Sequence, residues 1–150
     1  MSESASKQAG ITLRLERRFA APREKVFRAW TQPEALKRWW CPDGWMPAEI
    51  DVDLRVGGSY RIGMRPLAGG PPVYVCGQFV EVRPPERLLY TWRWDGAFDE
   101  MLETRVTVEF RDAGDATEIV LTHENFPDPQ TWHQYRQGWI AACDRMERIL

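Results

Sequence analysis

The chain has 150 residues, with 22 acidic and 20 basic side chains, a formal charge of -2 and a pI near 5.8. A chain of this length suits one domain that needs neither a disulfide nor a metal for its stability. The near-neutral charge, without runs of like-charged residues, argues against nucleic acid or an anionic membrane as a principal partner. Cys41, Cys76 and Cys143 lack metal or redox spacing, which is typical of free thiols in a reducing compartment.

The sequence also bears on location. Since no apolar run reaches the roughly 18 residues of a membrane-spanning helix, no membrane insertion is expected. The first ten residues are small and polar, without the basic and apolar regions of a signal peptide. We therefore expect a cytoplasmic protein, with a disordered tail over residues 1-10 and a single domain over residues 11-150.

The first predicted elements are a strand and two short helices. Apolar and polar residues alternate over 11–19, which predicts a half-buried strand. Pro22 then opens a short helix. Thr31 and Glu34 have the spacing of a capping box for a second short helix, which ends at Cys41.

The middle of the chain is predicted to form about six more strands. Each is bounded by Gly, Pro or Asp turn signals. The short connections between consecutive strands make them antiparallel. The predicted strands cover residues 48–54, 60–64, 73–82, 88–94, 102–110 and 117–123.

The last segment, from Asp128 to Leu150, has the pattern of a long helix. Its apolar residues recur at spacings of three and four, while His133 and Arg145 fall on the polar side. Gly138 leaves room for a close approach by a strand or a bound molecule. The apolar stripe consists of Trp132, Tyr135, Trp139, Cys143, Met146 and Leu150. The predicted fold class is therefore α+β, with a curved antiparallel sheet of about seven strands packed against the C-terminal helix.

Eight tryptophans suggest an interior walled by aromatic rings. Such rings suit rigid walls around an apolar ligand, and they also suit a filled aromatic core, so both interpretations stay open. The candidate ligand-binding residues are those expected on the converging faces of sheet and helix. They are Tyr60, Ile62, Met64, Phe79, Trp92, Trp94, Val106, Val108, Leu121, His123, Phe126, Trp132, Tyr135 and Trp139.

No residue pattern predicts a catalytic cluster, a metal site or a cofactor. His123 is in phase with the inward residues of its strand, which favours a hydrogen-bonded wall residue with a lowered pKa over a general base. His133 is expected at the surface, and the loop carboxylates Asp99 and Glu100 are expected in solvent. Cys76 alternates out of phase with its buried neighbour and is expected on the convex face.

The order and spacing of several motifs resemble the SRPBCC (START-like) superfamily, and more closely its branch named for activator of heat-shock protein 90 ATPase homologues. The resemblance covers residues 11–150. The motifs are Ala21-Pro22-x-x-x-Val26-Phe27-x-Ala29-Trp30-Thr31-x-Pro33-Glu34-x-Leu36-x-x-Trp39-Trp40, Gly57-Gly58-x-Tyr60, Gly77-x-Phe79-x-Glu81-Val82-x-Pro84-Pro85-Glu86-Arg87-Leu88-x-Tyr90-Thr91-Trp92, Leu121-Thr122-His123-Glu124-x-Phe126 and Gly138-Trp139.

The resemblance implies the helix-grip fold, in which the sheet wraps around the C-terminal helix and leaves a cavity between them. It implies first the binding of a hydrophobic small molecule. A polyketide cyclase or aromatase-like enzyme is the second interpretation, with His123, Tyr60 and Tyr135 as the candidate polar groups. A co-chaperone is the third, because this chain shows no counterpart of the co-chaperones' N-terminal chaperone-binding domain. Pairing through an edge strand makes a homodimer possible.

Overall fold

A computed structural model of the protein describes residues 10–95 and 102–150. Its elements in chain order are β1 (Ile11–Phe19), α1 (Arg23–Thr31), α2 (Pro33–Trp39), β2 (Trp45–Val52), β3 (Ser59–Pro66), β4 (Val73–Arg83), β5 (Arg87–Asp95), β6 (Thr104–Ala113), β7 (Ala116–Phe126) and α3 (Pro129–Ile149). The seven strands form one antiparallel sheet in the order β1-β7-β6-β5-β4-β3-β2. The predicted α+β helix-grip fold is confirmed.

The two helices after β1 explain the strand order. From β2 to β7 each strand pairs with the next along the chain, as short turns require. The α1–α2 segment carries the chain across the sheet, so β1 pairs with β7 instead, with Leu15 opposite Leu121. The register shifts in β2, between Pro47 and Ile50, and in β4, between Phe79 and Glu81. Bulges of this kind increase the local twist of a sheet.

The predicted capping box at Thr31 is wrong. Thr31 is the last residue of α1, and its buried hydroxyl donates to the carbonyl oxygen of Phe27 at 2.9 Å. Gln32 instead ends α1 and precedes α2, which begins at Pro33. Thr31 therefore lies one residue before the N-cap position of α2, and no described side chain caps that helix.

Helix α3 is well specified by its sequence. The side chain of Asp128 accepts a hydrogen bond from the backbone N–H of Thr131 at 2.7 Å, and Pro129 occupies the first turn. On β1, Arg17 pairs with Asp144 at 2.8 Å. The centre of the predicted stripe is buried, namely Trp139, Cys143 and Met146, whereas Trp132, Tyr135 and Leu150 are half-buried.

Other sequence predictions have mixed outcomes. Cys76 lies opposite Arg61 and Arg93 on the neighbouring strands, so it shares their face of the sheet, although it is itself buried. Residues 1–9 of the predicted tail, and Asp99 and Glu100, lie outside the described residues. Within the described ranges, no helix is long and apolar enough to cross a membrane.

Glycine is required at position 77 by a close approach between β4 and β5. A Cβ atom built on Gly77 would lie 2.1 Å from the carbonyl oxygen of Thr91. That oxygen also accepts the hydroxyl proton of Tyr60 at 2.6 Å. Since the obstructing atom belongs to the backbone of a paired strand, it cannot move aside without breaking the local register.

We expect Gly77→Ala to lower the free energy of unfolding by about 1–3 kcal/mol, the usual cost of overpacking. Urea denaturation measures this loss. The matched control is Gly138→Ala in α3, because a Cβ atom built there meets no other atom within 4 Å. A similar loss in both variants would contradict the steric explanation.

Candidate functional site

A cavity of about 580 Å³ lies between α3 and the ends of β3, β5 and β6. We call it the outer cavity. Five tryptophan rings contribute to its walls, and exposed Pro127, Asp128 and Gln134 lie at its rim. Its lining consists of Trp39, Trp40, Pro42, Met64, Trp92, Trp94, Leu102, Thr104, Pro127, Asp128, Thr131, Gln134, Tyr135, Gly138, Trp139, Ala142 and Arg145.

A much smaller inner cavity, of about 30 Å³, lies deeper in the core. It is far below the roughly 300 Å³ at which ligand pockets begin. Tyr60, Ile62 and Phe79 line it from the sheet. The tryptophans that line both cavities are Trp39, Trp40, Trp92 and Trp139. These rings therefore form the partition between the two spaces.

The fourteen predicted site residues separate into four groups. The outer cavity is lined by Met64, Trp92, Trp94, Tyr135 and Trp139. The inner cavity is lined by Tyr60, Ile62 and Phe79, together with Trp92 and Trp139. Five are fully buried and line neither cavity, namely Val106, Val108, Leu121, His123 and Phe126. The last is Trp132.

Trp132 lines neither cavity and lies near the start of α3. Its indole N–H donates to the carbonyl oxygen of Thr12 on the edge strand β1 at 3.1 Å. The helical period predicts Trp132 in the same stripe as Trp139, and the two are within about 20° of each other around the helix axis. Trp132 lies about two turns nearer the start of α3, beside the edge strand β1. The role of Trp132 in binding a ligand stays a prediction.

The outer cavity is lined by a face of α3 that the sequence pattern did not single out. Tyr135 and Trp139 reach the cavity from the aromatic stripe, and the neighbouring face, rotated by about 100°, borders it as well. Its members are Thr131, Gln134, Gly138, Ala142 and Arg145, which recur at spacings of three and four. These residues are small or polar, so a search for apolar periodicity passes over them. The regular spacing of small residues was the available signal.

His123 is the centre of a directed hydrogen-bond chain. Its Nδ1 atom accepts from the indole N–H of Trp139 at 3.0 Å, because an indole can only donate. In a neutral imidazole the proton must then reside on Nε2, which lies 2.7 Å from the Thr104 hydroxyl. That hydroxyl donates in turn to the carbonyl oxygen of Trp92 at 3.3 Å. We call this the His123 chain.

Burial lowers the pKa of His123 to about 3. A second proton would also sit on Nδ1, facing the N–H of Trp139, so the charged form loses a hydrogen bond as well as solvation. The predicted inward orientation and lowered pKa are confirmed. His123 lines neither cavity, and both of its ring nitrogens have partners within the protein.

Other hydrogen bonds hold the tryptophan walls in position. The Tyr135 hydroxyl accepts from the indole N–H of Trp94 at 2.8 Å and from that of Trp92 at 3.2 Å. The indole of Trp39 donates to the carbonyl oxygen of Ala29 at 2.7 Å. By contrast, the indole N–H of Trp40 has no hydrogen-bond partner within residues 10–95 and 102–150.

Arg145 joins the C-terminal helix to the end of α2. Its Nε donates to the carbonyl oxygen of Trp39 at 2.7 Å and its Nη2 to that of Trp40 at 3.2 Å. These carbonyls are left unpaired where α2 ends, and they attract a positive charge. Burial lowers the pKa of Arg145, which still remains protonated. In the part of the chain that the structure describes, no group of three or more His, Cys, Asp or Glu side chains could hold a metal ion.

The sequence profile of the family described as Activator of Hsp90 ATPase homolog 1-like protein matches residues 20–150. The chain belongs to this family. The match supports the resemblance drawn from the motifs, and we call the family AHSA1-like. No curated protein is detectably similar to the chain in sequence.

Several solved structures of AHSA1-like or similar bacterial proteins share the fold. A protein from Chromobacterium violaceum is 28% identical with a TM-score of 0.80, over 93% of this chain and 97% of that one. The AHSA1 protein from Silicibacter pomeroyi is 27% identical with a TM-score of 0.80, over 92% and 96%. An AHSA1-like protein from Aeromonas hydrophila is 26% identical with a TM-score of 0.76, over 92% and 90%.

The lowered pKa of His123 makes stability depend on pH. Between about pH 6.5 and pH 3, the unfolded chain binds a proton on this residue and the folded chain does not. Its contribution is therefore complete above pH 6.5, and it falls by about 1.4 kcal/mol per pH unit below that value. Urea denaturation from pH 7 to pH 4.5 should reveal this slope, and NMR should find the imidazole neutral throughout.

A His123→Gln variant separates this effect from the carboxylates, since an amide can accept from Trp139 and donate to Thr104 without titrating. Its stability should depend less steeply on pH than that of the unaltered protein. His133→Gln, at an exposed position of α3, is the control and should leave the slope unchanged. Equal slopes in all three proteins would show that His123 is accessible to protons.

Proposed function

We propose that this AHSA1-like protein binds a hydrophobic small molecule in the outer cavity. The observation that carries the proposal is the glycine at position 138. Glycine in the interior of a helix costs roughly 0.5–1 kcal/mol relative to alanine. Packing against the rest of the protein does not require it, because a Cβ atom there would meet no atom within 4 Å apart from the adjacent backbone of α3. Its absent side chain leaves room in the cavity.

The dimensions and walls of the cavity support the same proposal. A volume of about 580 Å³ lies within the range of roughly 300–1,000 Å³ that drug-sized ligands occupy. The walls are mostly apolar, and several of their aromatic rings are held by hydrogen bonds to Tyr135 and His123. Because these walls are already ordered before binding, less conformational entropy of the protein is lost when a ligand binds.

The other two interpretations from the sequence remain less supported. Of the polar groups suggested for a cyclase-like reaction, Tyr135 lines the outer cavity, Tyr60 lines the inner one, and His123 lies behind both. The co-chaperone interpretation rests on the family name. Cytoplasmic location and a homodimer likewise stay predictions.

Filling the cavity from Gly138 tests the proposal. Gly138→Leu should preserve or raise the free energy of unfolding, because it replaces a helical glycine without a clash at Cβ. The same change should weaken the binding of two-ring and three-ring neutral aromatic probes at least tenfold. Isothermal titration calorimetry measures the affinities and urea denaturation the stability.

The control is Gln137→Leu, which adds the same side chain at the adjacent, exposed position outside the cavity lining. It should bind the probes as the unaltered protein does. The proposal fails if no probe binds the unaltered protein, or if both variants bind as well as it does.

A further inference from the structure

We propose that the outer cavity selects amphipathic acids, with an apolar body among the tryptophan rings and a carboxylate paired with Arg145. This inference rests on the proposed function, because it names the class of ligand for the same cavity. It is carried by the placement, bonding and charge of Arg145.

Arg145 is the one cationic side chain among the cavity-lining residues that the structure describes. Its two hydrogen bonds to the carbonyls of Trp39 and Trp40 fix the position of the guanidinium group. A guanidinium carries five N–H donors, so three remain without a protein partner in the described ranges. Arginine held in this way presents a rigid fork of donors, which matches the geometry of a carboxylate.

The charge of Arg145 is incompletely balanced by the described residues around it. Asp43 and Asp144 raise its pKa, yet burial lowers the pKa by more, and the net shift is downward. None of the ion pairs within the described residues involves this guanidinium. A partly buried cation that lacks a paired anion favours a ligand that brings one.

The two ends of the cavity differ in charge, and this sets the orientation of a ligand. Asp128 lines the cavity at the start of α3, and Arg145 lines it about 25 Å further along the helix. A carboxylate is repelled by the first and attracted by the second. The body of the ligand then extends from Arg145 along Ala142 and Gly138, past the rings of β5.

Trp40 supplies a second donor on the same wall. It lines the outer cavity, and its indole N–H has no partner in the described part of the chain. Its carbonyl oxygen is held by Arg145, so the two residues are neighbours. The four other tryptophans that line the cavity, by contrast, each donate to a protein acceptor. Trp40 and Arg145 together offer donors for both oxygens of a carboxylate.

The experiment compares 2-naphthoate with 2-naphthamide, which share the same rings and differ in the charge of the head group. With the full chain in low salt, isothermal titration calorimetry should find the acid bound roughly tenfold tighter or more, as expected for a hydrogen bond to a charged group. Raising the ionic strength should lower the affinity for the acid and leave the affinity for the amide unchanged.

Arg145→Gln should reduce the affinity for the acid to that for the amide, while the affinity for the amide stays the same. Arg145→Lys, which keeps the charge, should retain part of the preference. The control Arg148→Gln removes an exposed cation one turn later, outside the lining, and should change neither affinity. Thermal denaturation establishes that each variant is folded. If Arg145→Gln does not fold, the salt dependence of acid binding by the unaltered protein tests the inference instead.

The outcomes distinguish the two proposals. Equal binding of acid and amide by the unaltered protein overturns the head-group inference and leaves the binding of an apolar molecule standing. A preference for the acid that Arg148→Gln removes as fully as Arg145→Gln does also overturns it, since general surface charge would then be the cause. Binding of neither probe overturns both proposals.

Discussion

The neutral imidazole of His123 fixes the position of the C-terminal helix on the sheet. Its Nδ1 atom can accept the indole proton of Trp139 only while it carries no proton itself. The other nitrogen extends the connection through Thr104 to the backbone of β5 at Trp92. Four elements, α3, β7, β6 and β5, are therefore joined by bonds with a single possible direction. Apolar packing alone is not directional, so it would hold the helix on the sheet without fixing its rotation.

That rotation decides which face of α3 meets the cavity. The aromatic stripe is committed to the core, and the face carrying Gly138 and Ala142 is left beside the rings of β5. The helix cannot close the gap, because the hydroxyl of Tyr135 holds Trp92 and Trp94 at fixed distances. A large space between packed elements gives up dispersion contacts that a filled core would have. The fold therefore keeps a cavity at the expense of packing, through polar bonds among its aromatic rings.

Much of this fold was predictable from periodicity. The alternation in β1 gave its bounds, 11–19, and the phase of β7 gave the inward direction of His123. Periodicity identifies which residues form the apolar face of an element. The size of the cavity depends instead on how far the faces of α3 and the sheet are held apart. Arg145 was accordingly placed on the polar side of its helix, although it reaches the end of α2 and lines the cavity. The spacing of Thr31 and Glu34 predicts a cap, but a local spacing cannot reveal that α1 extends to Thr31 itself.

The similar solved structures share the backbone of this chain more than its side chains. Identities of 26–28% with TM-scores of 0.76–0.80 mean that the backbone is shared while most side chains differ. A cavity between helix and sheet is set by the backbone, but its volume and charge depend on a few side chains. In this chain Gly138 and Arg145 both line the cavity, the first without a side chain and the second with a guanidinium. The lining of each cavity therefore has to be considered separately, because function resides in sites rather than in the fold.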